Sequence, residues 1–457
     1  MRILITTSAW AGHFFPMVPL GWALQSYGHE VRVLCTPTGA KYVKTAGLMP
    51  VPVLNDHDNP LFWPRLWYLE RVKRGTALDN GLMPLHPVTG ERMTSLDEFD
   101  WPAYKKEHPD EAKSYETKMW RALIFVKTWE PHLVIHDLMS TEGPFTATMH
   151  GVPAVLHLWG PVGTAEPDEA LQIVPEYDTN ILEKLGVTAM GDELIKYVID
   201  PCPVSMQPPV HATRLPMRYV PYNGPGEAPQ WVHDLPQRKR ILVVWGHTLS
   251  RFGTDSFLVP DILKALSDVD ADVKLAINPK EVPLLGEVPR NVEVLEQFPI
   301  HLLLPHCDAV VHHGGAGTVM SSVVAGVPQL ALPFETEQHA NGVRVAQAGA
   351  GLQMLGKDAD VTSIRTSVLA LLEDPSFKAA AVMLQTELAD RPSPAELVPE
   401  LERLAREGEP PARVDWDSLD PSLFTAARAA GRYYTRAVWS AGNAPEPVTP
   451  KAGDPNR

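Results

Sequence analysis

The densest chemistry in the chain lies in His312-His313-Gly314-Gly315-Ala316-Gly317-Thr318, between the apolar run Cys307 to Val311 and the helical stretch Val319 to Ala325. Glycines let a backbone come close to a ligand where a Cβ would block it. A helix start then offers unpaired N–H groups and the positive end of a dipole to an anion such as a diphosphate. A glycine turn alone reads as an ordinary strand-to-helix connection, but two imidazoles and the Thr318 hydroxyl shift this one toward anion binding. A second group sits in the first half. Gly12-His13 follows the strand Ile3-Leu4-Ile5, and Asp137 follows Leu133-Val134-Ile135, so both fall at carboxyl ends of strands, where ligands gather and the two can meet. In a third group, Glu335-Thr336-Glu337-Gln338 after Pro333-Phe334, a carboxylate and an amide side by side can fork onto the hydroxyls of a polar ligand.

These residues need a frame that brings strand ends together. Pro16 opens a helix, Val18, Leu20, Leu24 and Tyr27 keep roughly helical spacing, Gly28 stops it, and Val31 to Leu34 is the next strand. Strand, helix, strand is a βαβ unit of a parallel sheet. Val51-Pro52-Val53, Leu133 to Ile135 and Ala154 to Leu156 continue it. Repeated prolines from Pro201 to Pro236 interrupt the rhythm, which restarts with Ile241 to Trp245, Val273 to Ile277, Val292 to Leu295, the run into His312, and Gln329 to Leu332. The expected organisation is a first Rossmann-like domain over 1–215, a Pro-rich linker over 216–236 and a second such domain over 237–405. An amphipathic helical segment over 406–439 and a polar, disordered tail over 440–457 follow. Two α/β domains of this kind predict a cleft between them, a preferred place for ligands.

Composition narrows the function. With 457 residues, 44% of them hydrophobic, the chain can bury two cores. A formal net charge of -15 argues against nucleic acid as a partner. Three scattered cysteines, Cys35, Cys202 and Cys307, make neither a disulfide framework nor a metal cluster. With a polar N-terminus and no apolar run of membrane-spanning length, they point to the cytoplasm. Between Asn55 and Trp129 an insertion rich in aromatics breaks the pattern. It reads either as a binding surface for a bulky apolar substrate or as a small local core. The acidic Asp268-Val269-Asp270 precedes a strand and is a solvated turn, so no metal site is expected.

Gly12-His13-x-x-Pro16, Gly28-His29-Glu30-Val31, Pro305 to Thr318 and Ala325-Gly326-Val327-Pro328-Gln329 closely resemble nucleotide-sugar glycosyltransferases of the GT-B fold. The nearest group is the bacterial enzymes that decorate antibiotics and other natural products. The resemblance implies two doubly wound parallel-sheet domains facing across a cleft. It implies transfer of a sugar, as a deoxyhexose, from a dTDP- or UDP-sugar to a hydroxyl of a largely apolar aglycone such as a polyketide, with inversion and no metal or other cofactor. His13 matches the general base and Asp137 the acid that orients it. On the donor side, His313, Gly315, Ala316, Gly317 and Thr318 match the diphosphate site, with Gly246 and Thr248 in a loop facing it. Phe298 and Pro299 match the base-binding segment, where Gln297 replaces a stacking ring, and Glu337 with Gln338 match the pair on the sugar hydroxyls. Trp10, Phe14, Trp63, Trp67 and Trp159 are the expected acceptor-binding aromatics. Alternatives within this frame are a carbon-linked product on an aromatic aglycone and a non-catalytic helper or binding protein, and a homodimer is compatible with it. A dinucleotide oxidoreductase fails, because no Gly-x-Gly-x-x-Gly follows the first strand.

Overall fold

The computed structural model describes residues 1–54, 61–168, 171–173, 191–234, 236–246, 252–296 and 298–412. Thr248, Gln297 and the expected helical segment and tail beyond residue 412 lie outside them.

Buried apolar runs build two parallel sheets. The first comprises β1 (Arg2–Thr6), β2 (Glu30–Leu34), β3 (Met49–Val51), β4 (Leu133–His136), β5 (Ala154–His157), β6 (Tyr197–Asp200) and β7 (Thr213–Pro216). Their spatial order is β3-β2-β1-β4-β5-β6-β7. The second comprises β8 (Lys239–Val244), β9 (Ala271–Ile277), β10 (Val292–Glu296), β11 (Ala309–His312), β12 (Gln329–Ala331) and β13 (Gly351–Gln353), ordered β10-β9-β8-β11-β12-β13. In each sheet the chain leaves the centre in one direction, then returns to extend it in the other. The reversal falls between β1 and β4 in one sheet and between β8 and β11 in the other, and a crevice opens at the carboxyl ends of such strand pairs. Thr6 pairs with His136 and Val244 with His312, so the loops carrying His13 and Asp137, and those carrying Gly246 and His313, emerge side by side.

Two features depart from the expected organisation. The helix Pro394–Glu407, expected within the second domain, packs on the first. Leu397, Val398, Leu401 and Leu404 line one stripe of it and join a core containing Ile3, Ile5, Leu20, Leu24 and Val33. The insertion is also structured by both domains. Its last helix, Pro109–Trp129, lays Ala122, Phe125, Val126 and Trp129 against Leu4, Leu34 and Val134 of the first sheet. Its first helix, Phe62–Arg74, sends Tyr68 into the core of the second domain, edge-on to Phe252 at 5.0 Å.

Candidate functional site

The loop after β1 leaves through Ser8 and turns at Trp10 into the short helix Ala11–Phe14, whose third residue is His13. The Ser8 hydroxyl lies 2.8 Å from His13 Nδ1. Asp137 is fully buried and accepts three hydrogen bonds: from the Ser8 N–H at 2.7 Å, the Thr7 hydroxyl at 3.1 Å and the Met139 N–H at 2.7 Å. Burial raises its carboxyl above the ordinary aspartate range, with nearby Glu142 adding to the rise, while the Ser8 bond opposes it. Asp137, the acid expected to orient His13, is linked to it through Ser8: the carboxylate accepts the Ser8 N–H and the Ser8 hydroxyl touches the imidazole.

Across the cleft, β11 ends in two histidines with different surroundings. His312 is sealed inside. Its Nδ1 accepts from the Gly314 N–H at 2.9 Å and its Nε2 faces the Gln329 carbonyl oxygen at 3.0 Å. Burial pushes its pKa down to about 4, so it is a neutral strut of the turn. His313, also buried, lies between the backbones of two glycines, and its Nδ1 receives the Gly246 N–H at 3.4 Å, which assigns the ring proton of the neutral form to Nε2. Glycines make room for this ring. A Cβ at Gly246 would stand 2.6 Å from His313 Cε1, and one at Gly315 would stand 2.7 Å from Nε2. The helix Ala316–Ala325 then begins, with open space where a Cβ on Gly317 would be.

The third group follows β12. Gln338 folds back to accept the Phe334 N–H at 3.1 Å. The Phe334 carbonyl is held from the other side by the Asn80 amide at 2.8 Å, a residue of the insertion. Glu337 reaches into the first domain, where its Oε1 accepts the indole N–H of Trp159 at 3.1 Å. That indole lies flat on His13, with ring centroids 3.8 Å apart and planes 4° apart. His13 and Glu337 therefore occupy the face and the edge of one tryptophan.

The other aromatics divide. Phe14 is a correction: it is 2% exposed, because its ring, at the end of the first helix, belongs to the first domain's core with Ile5, Met17 and Val18. Trp63 packs on the subcore of Phe62, Leu66, Leu69, Met93 and Phe99, edge-on to Phe62 at 5.4 Å and to Trp101 at 5.3 Å. Trp67 lies under the Arg71 guanidinium at 4.9 Å. The rings around Trp63 form a small local cluster within the insertion, which also ties the domains together. Arg92 pairs with Asp255 at 2.8 Å, and Lys357 with Asp79 at 2.6 Å. Trp10 is half-buried, its carbonyl taking the N–H groups of His13 and Phe14. Phe298 packs partly buried beside Leu295 and Ile300, and Pro299 caps the helix Ile300–Leu303. Asp268 and Asp270 pair with Arg365 and Arg238 at the opposite end of the sheet from the site.

Ser8 and Asn80 were not anticipated. Ser8 had a signal, a hydroxyl between a strand end and the histidine. Asn80 had none, because its partner is 254 residues away.

Two parallel-sheet α/β domains facing across a cleft, with an imidazole loop on one wall and a glycine-to-helix turn on the other, define the GT-B class of glycosyltransferases. The sequence matches the erythromycin biosynthesis protein CIII-like family, its N-terminal domain over residues 93–246 and its C-terminal domain over residues 260–404. The 3-alpha-mycarosylerythronolide B desosaminyl transferase of Saccharopolyspora erythraea is 30% identical over 89% of this chain and 98% of that relative. The L-demethylnoviosyl transferase of Streptomyces niveus is 34% identical over 86% of this chain and 96% of its own. The crystal structure of glycosyltransferase VinC in complex with dTDP is similar with a TM-score of 0.67 at 28% identity, covering 89% of this chain and all 100% of VinC. Spinosyn rhamnosyltransferase SpnG complexed with spinosyn aglycone gives 0.67 at 26% identity, over 88% and 100% of the two chains. The chain belongs to this family of bacterial natural-product glycosyltransferases and is an enzyme of sugar transfer.

Proposed function

We propose that the enzyme moves a deoxyhexose from a dTDP- or UDP-sugar to a hydroxyl of a largely apolar, polyketide-type aglycone, inverting the anomeric carbon without a divalent metal. The observation that carries this reading is the seating of His13 and Glu337 on one indole. It brings a base from one domain beside a sugar-binding carboxylate from the other. The relatives' names support the choice of substrates, since they include desosaminyl transferases, and VinC and SpnG have been crystallised with dTDP or thymidine diphosphate.

His13 Nε2 takes the proton of the acceptor hydroxyl as that oxygen bonds to the anomeric carbon. The bond from this carbon to the diphosphate oxygen breaks on the opposite face, and one displacement inverts the centre, as in single-step glycoside chemistry. Charge growing on the diphosphate meets the N–H groups at the start of the helix Ala316–Ala325, the Thr318 hydroxyl and His313 Nε2–H. Asp137, through Ser8, holds the imidazole and favours its charged form. Gln338 and Glu337 meet the sugar hydroxyls.

The test is a product screen by mass spectrometry with dTDP- and UDP-sugars over a panel of aglycones, with the anomeric configuration read by NMR. Retention of configuration would overturn inversion. Activity abolished by a chelator and restored by a divalent ion would overturn metal independence.

Asn80→Asp is expected to raise the donor KM by about tenfold with a smaller change in kcat, because a carboxylate cannot donate to the Phe334 carbonyl and leaves it unpaired. Steady-state kinetics with varied donor decide this. An unchanged KM would mean that the loop holds itself.

A further inference from the structure

We infer that Trp159 is the positioning residue of the base: it holds the His13 ring flat, stabilises the cation formed there, and ties that ring to the donor side of the cleft. The inference rests on the reading of His13 as the general base.

Trp159 follows β5, is 3% exposed, and touches both halves of the site. Its face covers the imidazole at 3.8 Å with a 4° tilt. A cation over an indole face is attracted by the ring's quadrupole, so the proton gained by His13 during transfer is favoured there. Its edge donates to Glu337 at 3.1 Å, and a carboxylate on the indole N–H enriches the face that the imidazole meets. The same loop abuts the start of the diphosphate helix. A Cβ on the next residue, Gly160, would stand 2.6 Å from the Ala316 Cβ, and Ala316 shares a buried cluster with Trp159, Leu158 and Val162. One loop therefore feels both the sugar-binding carboxylate and the first residue of the diphosphate helix, and passes their positions to the base. The ionisable groups around His13 in this chain of contacts are Asp137, through Ser8, with Glu142 behind it, and Glu337, through the indole.

The test compares Trp159→Leu, Trp159→Phe and His13→Ala with the wild type in kcat, donor KM and the pH profile of kcat/KM, with thymidine diphosphate binding by calorimetry to show that each variant retains the donor site. Trp159→Leu removes the π face. It is expected to lower kcat by about 3- to 30-fold and to move the acid limb of the profile to lower pH, since the imidazolium loses its stabilising partner. Both variants lose the N–H to Glu337 and should raise donor KM, whereas Trp159→Phe alone restores a flat ring and should return the limb toward the wild-type position. An unmoved limb in Trp159→Leu, or a phenylalanine variant no better than leucine, overturns the inference and reduces Trp159 to space filling. Near-wild-type rates in His13→Ala would instead overturn the base reading itself.

Discussion

His13→Ala is expected to lower kcat for sugar transfer by about 10²- to 10⁴-fold, the usual contribution of a positioned base, while thymidine diphosphate binds as before. The separation follows from the geometry. His13 belongs to the first sheet and is held by Ser8 and Trp159, whereas the diphosphate turn is braced from within its own domain by His312, Gln329 and Asn341. Removing the imidazole takes the proposed proton acceptor away and leaves that turn intact. The loss should therefore fall on kcat and little on donor affinity, a split read by steady-state kinetics beside calorimetry. Rates near wild type would mean that another group takes the proton, and weakened nucleotide binding would mean that the loop serves the donor as well.

A companion substitution, Ser8→Ala, separates the ring's holder from the ring. It removes the 2.8 Å contact to Nδ1 and keeps the backbone N–H that Asp137 accepts. The expected loss in kcat is smaller, about tenfold for one hydrogen bond to a group that becomes charged.

Much of this site was legible in the sequence because its parts are local. A strand that must be buried on both faces reads as an unbroken apolar run, and the loop at its end follows at once. That logic put His13, Asp137, His313 and the 337–338 pair after strand ends, where the structure has them. What stayed hidden is long-range or masked by proline. Neither β6 nor β7 reads as a strand in the sequence: β6 ends where the prolines from Pro201 begin and β7 lies among them, and Pro216 can close an edge strand where no further neighbour needs an N–H. Phe14 shares the polar loop of His13, yet its side chain points into the core, an orientation that composition cannot give. Aromatics of the insertion are informative only once their partners are known. Tyr68 serves the second domain, Trp129 the first and Trp63 a local cluster, from one stretch of similar residues. The helix Pro394–Glu407 shows the same limit. Its stripe of leucines announces burial, but not which domain receives it.

Gly314→Ala and Gly317→Ala should have opposite effects on the fold and converge on the donor. Gly314 has φ +90, outside the range of ordinary side chains, and a Cβ there would lie 2.5 Å from the Gln338 carbonyl oxygen. Backbone strain of about 1 to 3 kcal/mol adds to a clash with main chain that cannot rotate away. The turn also cannot shift without breaking the bond from Gly314 N–H to His312 or that from Asn341 to the Gly314 carbonyl. The variant is expected to displace Gln338 and Glu337, lower the melting temperature, and weaken donor binding by about a hundredfold. Gly317 sits inside the helix with nothing within 4 Å of a Cβ. Alanine there should stabilise the free enzyme by about 0.4 to 1 kcal/mol, because it costs the unfolded chain freedom and strains nothing. If the diphosphate approaches the Gly317 backbone, that same methyl intrudes on it, and nucleotide affinity falls although stability rises. Thermal melts and calorimetric titration with thymidine diphosphate on the two variants read both signs. A Gly317→Ala enzyme that melts higher and binds the nucleotide as tightly as wild type would move the diphosphate away from this turn, since an open position at a helix start is consequential only when a ligand comes to fill it.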